Sequence, residues 1–279
     1  MRKLKKNIAI QGISGSFHEE AAVVFFKNED VNFIYCDTFS QVFNSLKDEN
    51  TLGVIAIENS LAGSILPNYG AIQAHQLNII GETYSRIEQN LMVLPKSNFD
   101  NIKEIWSHPM ALRQCQPFLD NHPQIKSVEK EDTAKSAKII KENNLEHVGA
   151  IASKTAAKMY NLNILQESIE SNKMNFTRFL LLSKLNIAIK EPNKATLCFS
   201  VSNTAGSLAK VLSILAEKGL NLTKIQSHPK IGKKWEYFFY VDLLFKDLVV
   251  FHEAINQLDH LVTELNVLGL YKNELSDES

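Results

Sequence analysis

Near the end of the first two thirds of the chain, Asn175-Phe176-Thr177-Arg178-Phe179 brings an amide, a hydroxyl and a fixed cation to the start of the apolar run Phe179-Leu180-Leu181-Leu182. A guanidinium can hold a carboxylate through a two-pronged hydrogen bond, or it can pair with a structural acid. Ile57-Glu58-Asn59-Ser60-Leu61-Ala62-Gly63-Ser64 places an acid, an amide and hydroxyls after another apolar run, where such residues serve as ligand contacts or as ordinary turn and cap groups. Gln11-Gly12-Ile13-Ser14-Gly15-Ser16-Phe17 carries two glycines and two hydroxyls, a composition that suits either a plain turn or bare amides set against a carboxylate. Its spacing fits neither the dinucleotide fingerprint nor a P-loop. Ser107-His108-Pro109-Met110-Ala111-Leu112 puts a histidine just before a proline in the first turn of a helix. None of the eight histidines has metal-site spacing, so no metal and no cofactor are expected.

These groups need a scaffold to converge. Ile8-Ala9-Ile10, Asn32 to Cys36, Leu52 to Ile57, Glu104 to Trp106 and Val148 to Ile151 read as short buried strands. Between them Phe17 to Phe26, Phe39 to Leu46, Met110 to Leu119 and Ala134 to Lys141 read as helices, and the alternation implies an α/β sheet. Ser16-Phe17-His18-Glu19 and Thr38-Phe39-Ser40-Gln41 both fit the capping box. In an open parallel sheet the helix N-termini gather on the rim at the strands' carboxyl ends, and that rim attracts anions.

The pattern changes after Leu185. Asn186 to Asn193 is polar and holds Pro192, as a linker does; a strand from Ala195 to Val201 and a helix from Ser207 to Lys218 follow, closed by Gly219. Leu220 to Gln226 and Trp235 to Phe245 read as strands, Val249 to Leu265 as a helix, and a last strand starts at Asn266. The order is βαββαβ, a ferredoxin-like unit. The expected domains are therefore 1–184, a linker at 185–193, the ferredoxin-like unit at 194–272 and a frayed tail at 273–279.

Charge and cysteine content exclude several classes. With 30 Lys+Arg against 31 Asp+Glu there is no broad basic face for nucleic acid. Cys36, Cys115 and Cys198 are odd in number and far apart, which speaks against a disulfide framework and for a reducing compartment. The basic opening Met1-Arg2-Lys3-Leu4-Lys5-Lys6 lacks an apolar signal core behind it, and no stretch nears the roughly 20 apolar residues that cross a bilayer. A cytoplasmic protein without membrane or nucleic-acid partners is expected.

Gly15 to Ala21, Ile57 to Ser64, Ser107 to Cys115, Ala150-Ile151-Ala152-Ser153 and Asn175 to Phe179 together resemble the prephenate dehydratase family in order and spacing, across about Asn7 to Ser183. The second unit resembles the ACT regulatory domain that follows this enzyme, with Ala205-Gly206-Ser207-Leu208 and Gln226-Ser227-His228-Pro229 where that domain carries its ligand loops. The resemblance implies a two-lobed, periplasmic-binding-protein-like (type II) α/β dehydratase domain with a cleft between its lobes, followed by the ACT domain. The sequence opens on the dehydratase strand without a chorismate mutase segment, so a monofunctional enzyme is expected.

The implied reaction converts prephenate to phenylpyruvate, carbon dioxide and water. Aromatisation drives it, so a proton donor and anion grips suffice. Thr177 matches the family's essential threonine; a free alcohol is too weak an acid to act alone, and Glu58, then His108, are the expected polarising groups. Ser14, Gly15, Ser16, Asn59, Ser60, Ser107, His108, Asn175, Arg178 and Phe179 are the expected substrate contacts. By the same resemblance L-phenylalanine is the expected effector, bound between paired ACT domains through Asn203, Ala205, Gly206, Ser207, Leu208, Gln226, Ser227, His228 and Pro229 in a homodimer or homotetramer. His228 stands where the family has arginine and Ser207 where it has alanine, which leaves effector identity open. Two alternatives stay open as well: an arogenate dehydratase with the same chemistry, and a non-catalytic amino-acid sensor.

Overall fold

The structure is a computed structural model that describes residues 5–27 and 29–275 of the 279. The first four residues of the basic opening and residues 276–279 of the expected tail lie outside the described residues. In chain order the first elements are β1 (Lys6–Gln11), α1 (Phe17–Phe25), β2 (Val31–Cys36), α2 (Phe39–Ser45), β3 (Thr51–Asn59), β4 (Gly63–Ser64), α3 (Leu66–Ala74) and β5 (Asn78–Arg86). Then follow β6 (Asn90–Val93), β7 (Glu104–Ser107), α4 (Pro109–Gln114), α5 (Gln116–Asp120), β8 (Lys126–Glu129), α6 (Thr133–Glu142), β9 (Val148–Ala152), α7 (Lys154–Met159) and β10 (Asn163–Gln166). The chain continues with β11 (Phe176–Ser183), β12 (Lys194–Ser200), α8 (Ser207–Glu217), β13 (Asn221–Pro229), β14 (Tyr237–Leu244), α9 (Leu248–Leu258) and β15 (Glu264–Tyr271).

Three sheets organise these elements. The first runs β2-β1-β3-β11-β5 with β4 on β3, the second β10-β6-β9-β7-β8, and the third β13-β14-β12-β15. The chain leaves the first sheet after β5, builds the second entirely from β6 to β10, and returns as β11. That double crossing gives the dehydratase region its two lobes, and the third sheet is the ferredoxin-like unit. Neither of the first two sheets is purely parallel: in the first, β1 pairs with β2 in parallel and β3 with β4 antiparallel; in the second, β7 pairs with β8 and β9 in parallel and β6 with β9 and β10 antiparallel. The second sheet is covered on both faces because its strands alternate between two cores. Leu91, Val93 and Ile151 point to Leu112 and Leu119; Met92, Ala150 and Ala152 point to Ala134, Ala137 and Ile140.

Several element ends differ from the sequence reading. The helix expected over 110–119 breaks at Cys115, two residues before Pro117, whose ring and missing N–H interrupt the helical bonds. The last helix stops at Leu258 and its strand begins at Glu264. Thr38 and Gln41 form both bonds of the capping box, the Gln41 amide reaching Thr38 Oγ1 and the Thr38 amide reaching Gln41 Oε1, each at 3.3 Å.

The chain divides into two compact units. The first holds the described residues of 1–45 with 53–64 and 83–179; the second holds 46–52, 65–82 and the described residues of 180–279. Within the second unit, α8 and α9 cover one face of the third sheet, where Ala195, Leu197, Phe199, Val241 and Leu243 meet Val211, Leu215, Phe251 and Leu258. The other face meets α3: Tyr69 and Tyr240 lie ring to ring at 4.9 Å, and the Tyr240 hydroxyl donates to Gln73 Oε1 at 3.1 Å. A side chain at Gly269 would collide with the backbone of Ile79, so β15 and the start of β5 approach as closely as glycine allows. These contacts place α3 and the first residues of β5 with the C-terminal sheet.

Candidate active site

All the groups that meet at Thr177 belong to the first unit. β3 and β11 are neighbours in their sheet, and Asn59, the last residue of β3, has its Nδ2 at 3.0 Å from Thr177 Oγ1, 2.8 Å from Asn175 Oδ1 and 3.2 Å from the Phe176 carbonyl. The other end of that amide is committed: Asn59 Oδ1 accepts from the backbone N–H groups of Leu61 and Ala62, both at 3.0 Å. The nitrogen therefore faces Thr177 and donates to its oxygen. A hydroxyl that accepts such a bond becomes a better donor, and its proton is left to point elsewhere.

The amide arrangement continues inward. Asn175 Nδ2 donates to Gln114 Oε1 at 3.0 Å, and Gln89 Nε2 approaches the same oxygen at 3.4 Å. Asn59, Asn175, Gln114 and Gln89 thus form a chain of side-chain amides that begins at Thr177. At its inner end Gln89 Oε1 is buried, with no hydrogen-bond partner among the described residues.

Alternation along the two strands separates the remaining expected residues. With Asn59 and Thr177 on one face, alternation turns Glu58 and Arg178 to the other, and the side chain bonded to the hydroxyl is Asn59. Arg178 is buried. Ser60 serves as a backbone clamp: its hydroxyl donates to Met174 O at 2.8 Å and accepts from the Phe176 N–H at 2.9 Å. Phe179 is a core residue, its ring set edge-on to His18 at 5.1 Å.

The Ser14-Gly15-Ser16 turn already holds an anion, and it comes from this chain. The Gly15 N–H donates to Glu19, Ser14 Oγ lies 3.2 Å from both oxygens of that carboxylate, and the Tyr35 hydroxyl donates to it at 2.7 Å. The Ser16 N–H goes to the Ile13 carbonyl and Ser16 Oγ caps α1. The turn also ties the two lobes of the dehydratase region together, since Ser153 Oγ donates to Gly15 O at 2.9 Å and the Tyr160 hydroxyl to Ser14 O at 2.6 Å. Burial raises the pKa values around it, pushing Tyr160 up to about 12 and both Asp132 and Glu20 above the usual carboxylate range.

The motif around His108 splits. Ser107 is fully buried and spends its hydroxyl on Ile151 O at 2.6 Å. His108 is exposed, caps α4 through Nδ1 and lines a cavity of about 710 Å³ with Glu129, Lys130 and Lys135, a lining that does not include Thr177. Among the described residues no group of three or more His, Cys, Asp or Glu could hold a metal ion, and no helix is long and apolar enough to cross a membrane.

In the second unit, Asn203, Ala205, Gly206, Ser207 and Leu208 form the loop and first turn of α8, where Gly206 takes φ +84° and the Ser207 hydroxyl lies 2.6 Å from Thr204 Oγ1. Gln226, Ser227, His228 and Pro229 lie on β13, with the His228 ring edge-on to Tyr240 at 6.4 Å. β13 is an edge strand of its sheet, and β14 runs between it and β12, the strand that leads into the first group.

Residues 8–186 match the family model described as prephenate dehydratase, and residues 196–269 match the ACT domain. The chain belongs to the prephenate dehydratase family. It is 36% identical over 264 residues to the prephenate dehydratase of Methanocaldococcus jannaschii, covering 92% of this chain and 94% of that protein. Among solved structures, the prephenate dehydratase of Arthrobacter aurescens in complex with L-Phe superposes with a TM-score of 0.87 at 27% identity, over 98% of this chain and 91% of that one. A structure described as GqqA, a novel type of quorum quenching acylase, also reaches 0.87 at 28% identity, over 97% and 99% of the two chains. As a member of the prephenate dehydratase family this chain is an enzyme with a C-terminal ACT domain. Of the residues in the amide chain that begins at Thr177, Gln114 and Gln89 escaped the sequence reading. Gln114 stood inside the Ser107 to Cys115 motif, whereas nothing around Gln89 distinguishes it from an ordinary strand-end residue.

Proposed function

We propose that the face of β3 and β11 bearing Asn59 and Thr177 converts prephenate to phenylpyruvate, carbon dioxide and water. The observation that carries this reading is the Asn59 amide donating to Thr177 Oγ1 at 3.0 Å in a chain of this family. The ring carboxylate leaves as carbon dioxide and its bonding pair enters the ring; the opposite C–O bond breaks with its pair on oxygen. Thr177 gives that oxygen a proton, and water departs. The threonine oxygen, steadied by the Asn59 amide, recovers a proton from solvent, so each turnover consumes one proton overall. Excluding water from the ring carboxylate favours its loss as neutral carbon dioxide. Asn175 holds Asn59 in place. Arg178 and Glu58, on the opposite face, act on the frame of the site rather than on the leaving hydroxyl.

L-phenylalanine is the proposed effector, and two copies of the ACT domain, residues 194–272, are the proposed binding unit after a linker at 185–193. The edge position of β13, which carries Gln226 to Pro229, supports a site that a second copy completes, in a homodimer or homotetramer. The buried free thiols of Cys36, Cys115 and Cys198 support a cytoplasmic setting.

The test is to incubate purified protein with prephenate and with arogenate, following phenylpyruvate by absorbance and phenylalanine by chromatography. Prephenate is the expected substrate, with turnover abolished in Thr177→Val while the variant keeps its fold. Wild-type turnover in that variant removes Thr177 from the mechanism, and product from arogenate alone reassigns the substrate. Millimolar L-phenylalanine is expected to lower the rate; an unchanged rate rejects the effector.

A further inference from the structure

The two segments that carry the chain between the lobes are residues 87–89 and 167–175, and they are bound to each other. The Ile87 N–H donates to Asn175 O at 2.7 Å, the Ile169 N–H to Gln89 O at 2.8 Å, and the Ser168 N–H to Asn90 Oδ1 at 3.1 Å. Between them sits a carboxylate with no exposed side-chain surface, that of Glu170. It accepts from the Gln89 backbone N–H at 2.9 Å and from Ser168 Oγ at 3.2 Å, and it meets the Arg86 guanidinium at 3.4 Å and the Lys173 ammonium at 3.5 Å. Gln89 belongs to the first crossing and Arg86 to the end of β5 that leads into it, while Ser168 and Lys173 belong to the second. The resemblance to known enzymes singles out none of them.

We propose that Glu170 is a positioning residue for the dehydration step, locking the two crossings in the register that lets the Gln89-Gln114-Asn175-Asn59 amides reach Thr177. The proposal rests on the reading of Thr177 given above. Glu170 pins the backbone of Gln89, the inner end of the amide chain, and the same crossing delivers Asn175, whose carbonyl is held by Ile87. The second crossing also reaches across to α4, because the Ser171 N–H and hydroxyl both donate to the Gln114 carbonyl, at 2.9 and 3.0 Å. Every amide between Gln89 and Asn59 is therefore either on a crossing or tied to one. The negative charge is felt nearby: the Cys115 thiol is pushed up to about 12, by burial first and by Glu170 second. A carboxylate suits the task better than a neutral group because it draws two cations and two neutral donors to one point.

The effect passes through the placement of a hydroxyl, so it belongs in kcat. Displacements of a fraction of an ångström at a reacting group lower rates steeply, while remote substrate contacts are untouched. In full-length protein, Glu170→Ala is expected to lower kcat about tenfold or more with KM within about threefold of wild type. Glu170→Gln, which keeps an acceptor for the Gln89 N–H, should recover part of the loss and fall about threefold below wild type. A purely structural role would lower the melting temperature and leave the kcat of the folded fraction unchanged. Wild-type kcat in folded Glu170→Ala overturns the proposal, as does a loss expressed wholly in KM. If the alanine variant does not fold, wild-type kcat in Glu170→Gln overturns it instead. Thr177→Val assayed alongside keeps the two readings apart: if it is inactive while both Glu170 variants turn over normally, only the positioning role fails.

Discussion

Thr177 Oγ1 receives its hydrogen bond from Asn59, a residue whose amide cannot turn round, because Leu61 and Ala62 hold its oxygen. The sign of the interaction at the hydroxyl is therefore set by backbone geometry three residues away. A donor aimed at the threonine oxygen supports negative charge there as the proton departs; an acceptor in the same place would do the opposite.

Asn59→Asp reverses that sign at almost constant shape. The carboxylate still accepts from Leu61 and Ala62, but its second oxygen would draw the Thr177 proton inward. We expect kcat to fall by about 10²–10³, the range seen when one preorganised donor is lost, with KM little changed. Steady-state kinetics on prephenate decide this. A variant with wild-type kcat would show that the Thr177 oxygen needs no donor.

His18 predicts a pH effect on stability. It is buried against Phe39 and Phe179, accepts from the Ala56 N–H at Nε2, and desolvation lowers its pKa from 6.5 to about 4. Between those values the unfolded chain takes up a proton that the folded protein refuses, so stability from this residue is complete above pH 6.5 and is lost as pH falls through 4. The gap corresponds to about 3 kcal/mol. Denaturant titrations from pH 7.5 to 4 should show a shallower decline in His18→Gln than in wild type. Parallel curves would mean that the imidazole charges freely in the folded state.

Local signals in the sequence were readable where the physics is local. The Thr38/Gln41 cap, the strand runs and the βαββαβ order depend on neighbours a few residues apart, and the structure has them. The site was readable as motifs and not as contacts. Glu58 and Asn59 are adjacent in sequence, and only strand register decides which of them faces Thr177. The Gly15 amide looked free because the carboxylate that takes it, Glu19, also reads as a capping-box acid. The amide chain joins positions 59, 89, 114 and 175, whose meeting depends on two crossings between sheets and leaves no periodic trace.

Gly15 tests the contact between the lobes of the dehydratase region. It takes φ +87°, and a Cβ there would lie 2.9 Å from Ala156 Cα, whereas Gly63 at φ +82° has nothing within 4 Å. Gly63→Ala should cost about 1 kcal/mol, the strain of a left-handed alanine alone. Gly15→Ala carries the same strain plus a backbone collision, about 1–3 kcal/mol more. Equal losses in chemical denaturation would mean that the turn and α7 do not approach so closely.

Lys194 and Glu82 give the second unit a buried ion pair, with Lys194 Nζ at 2.9 Å from both carboxylate oxygens and side chains 4% and 0% exposed. Such a pair owes little to net Coulomb gain, since both charges have left water, but it makes each partner intolerant of the other's loss. Lys194→Met takes the cation from the Glu82 carboxylate and should destabilise by about 3–5 kcal/mol; Glu82→Leu takes the counter-ion from the ammonium at similar cost. The double variant removes both charges and should lie within about 2 kcal/mol of wild type, so the cycle yields a large favourable coupling. Additive losses would mean that the two charges are solvated independently. The pair joins the first strand of the ACT domain to β5 of the dehydratase sheet, so the same double variant asks a functional question. If it folds and turns over prephenate but no longer responds to L-phenylalanine, the charges transmit the effector signal; if the response survives, hydrophobic packing of α3 and β5 on the C-terminal sheet is sufficient to carry it.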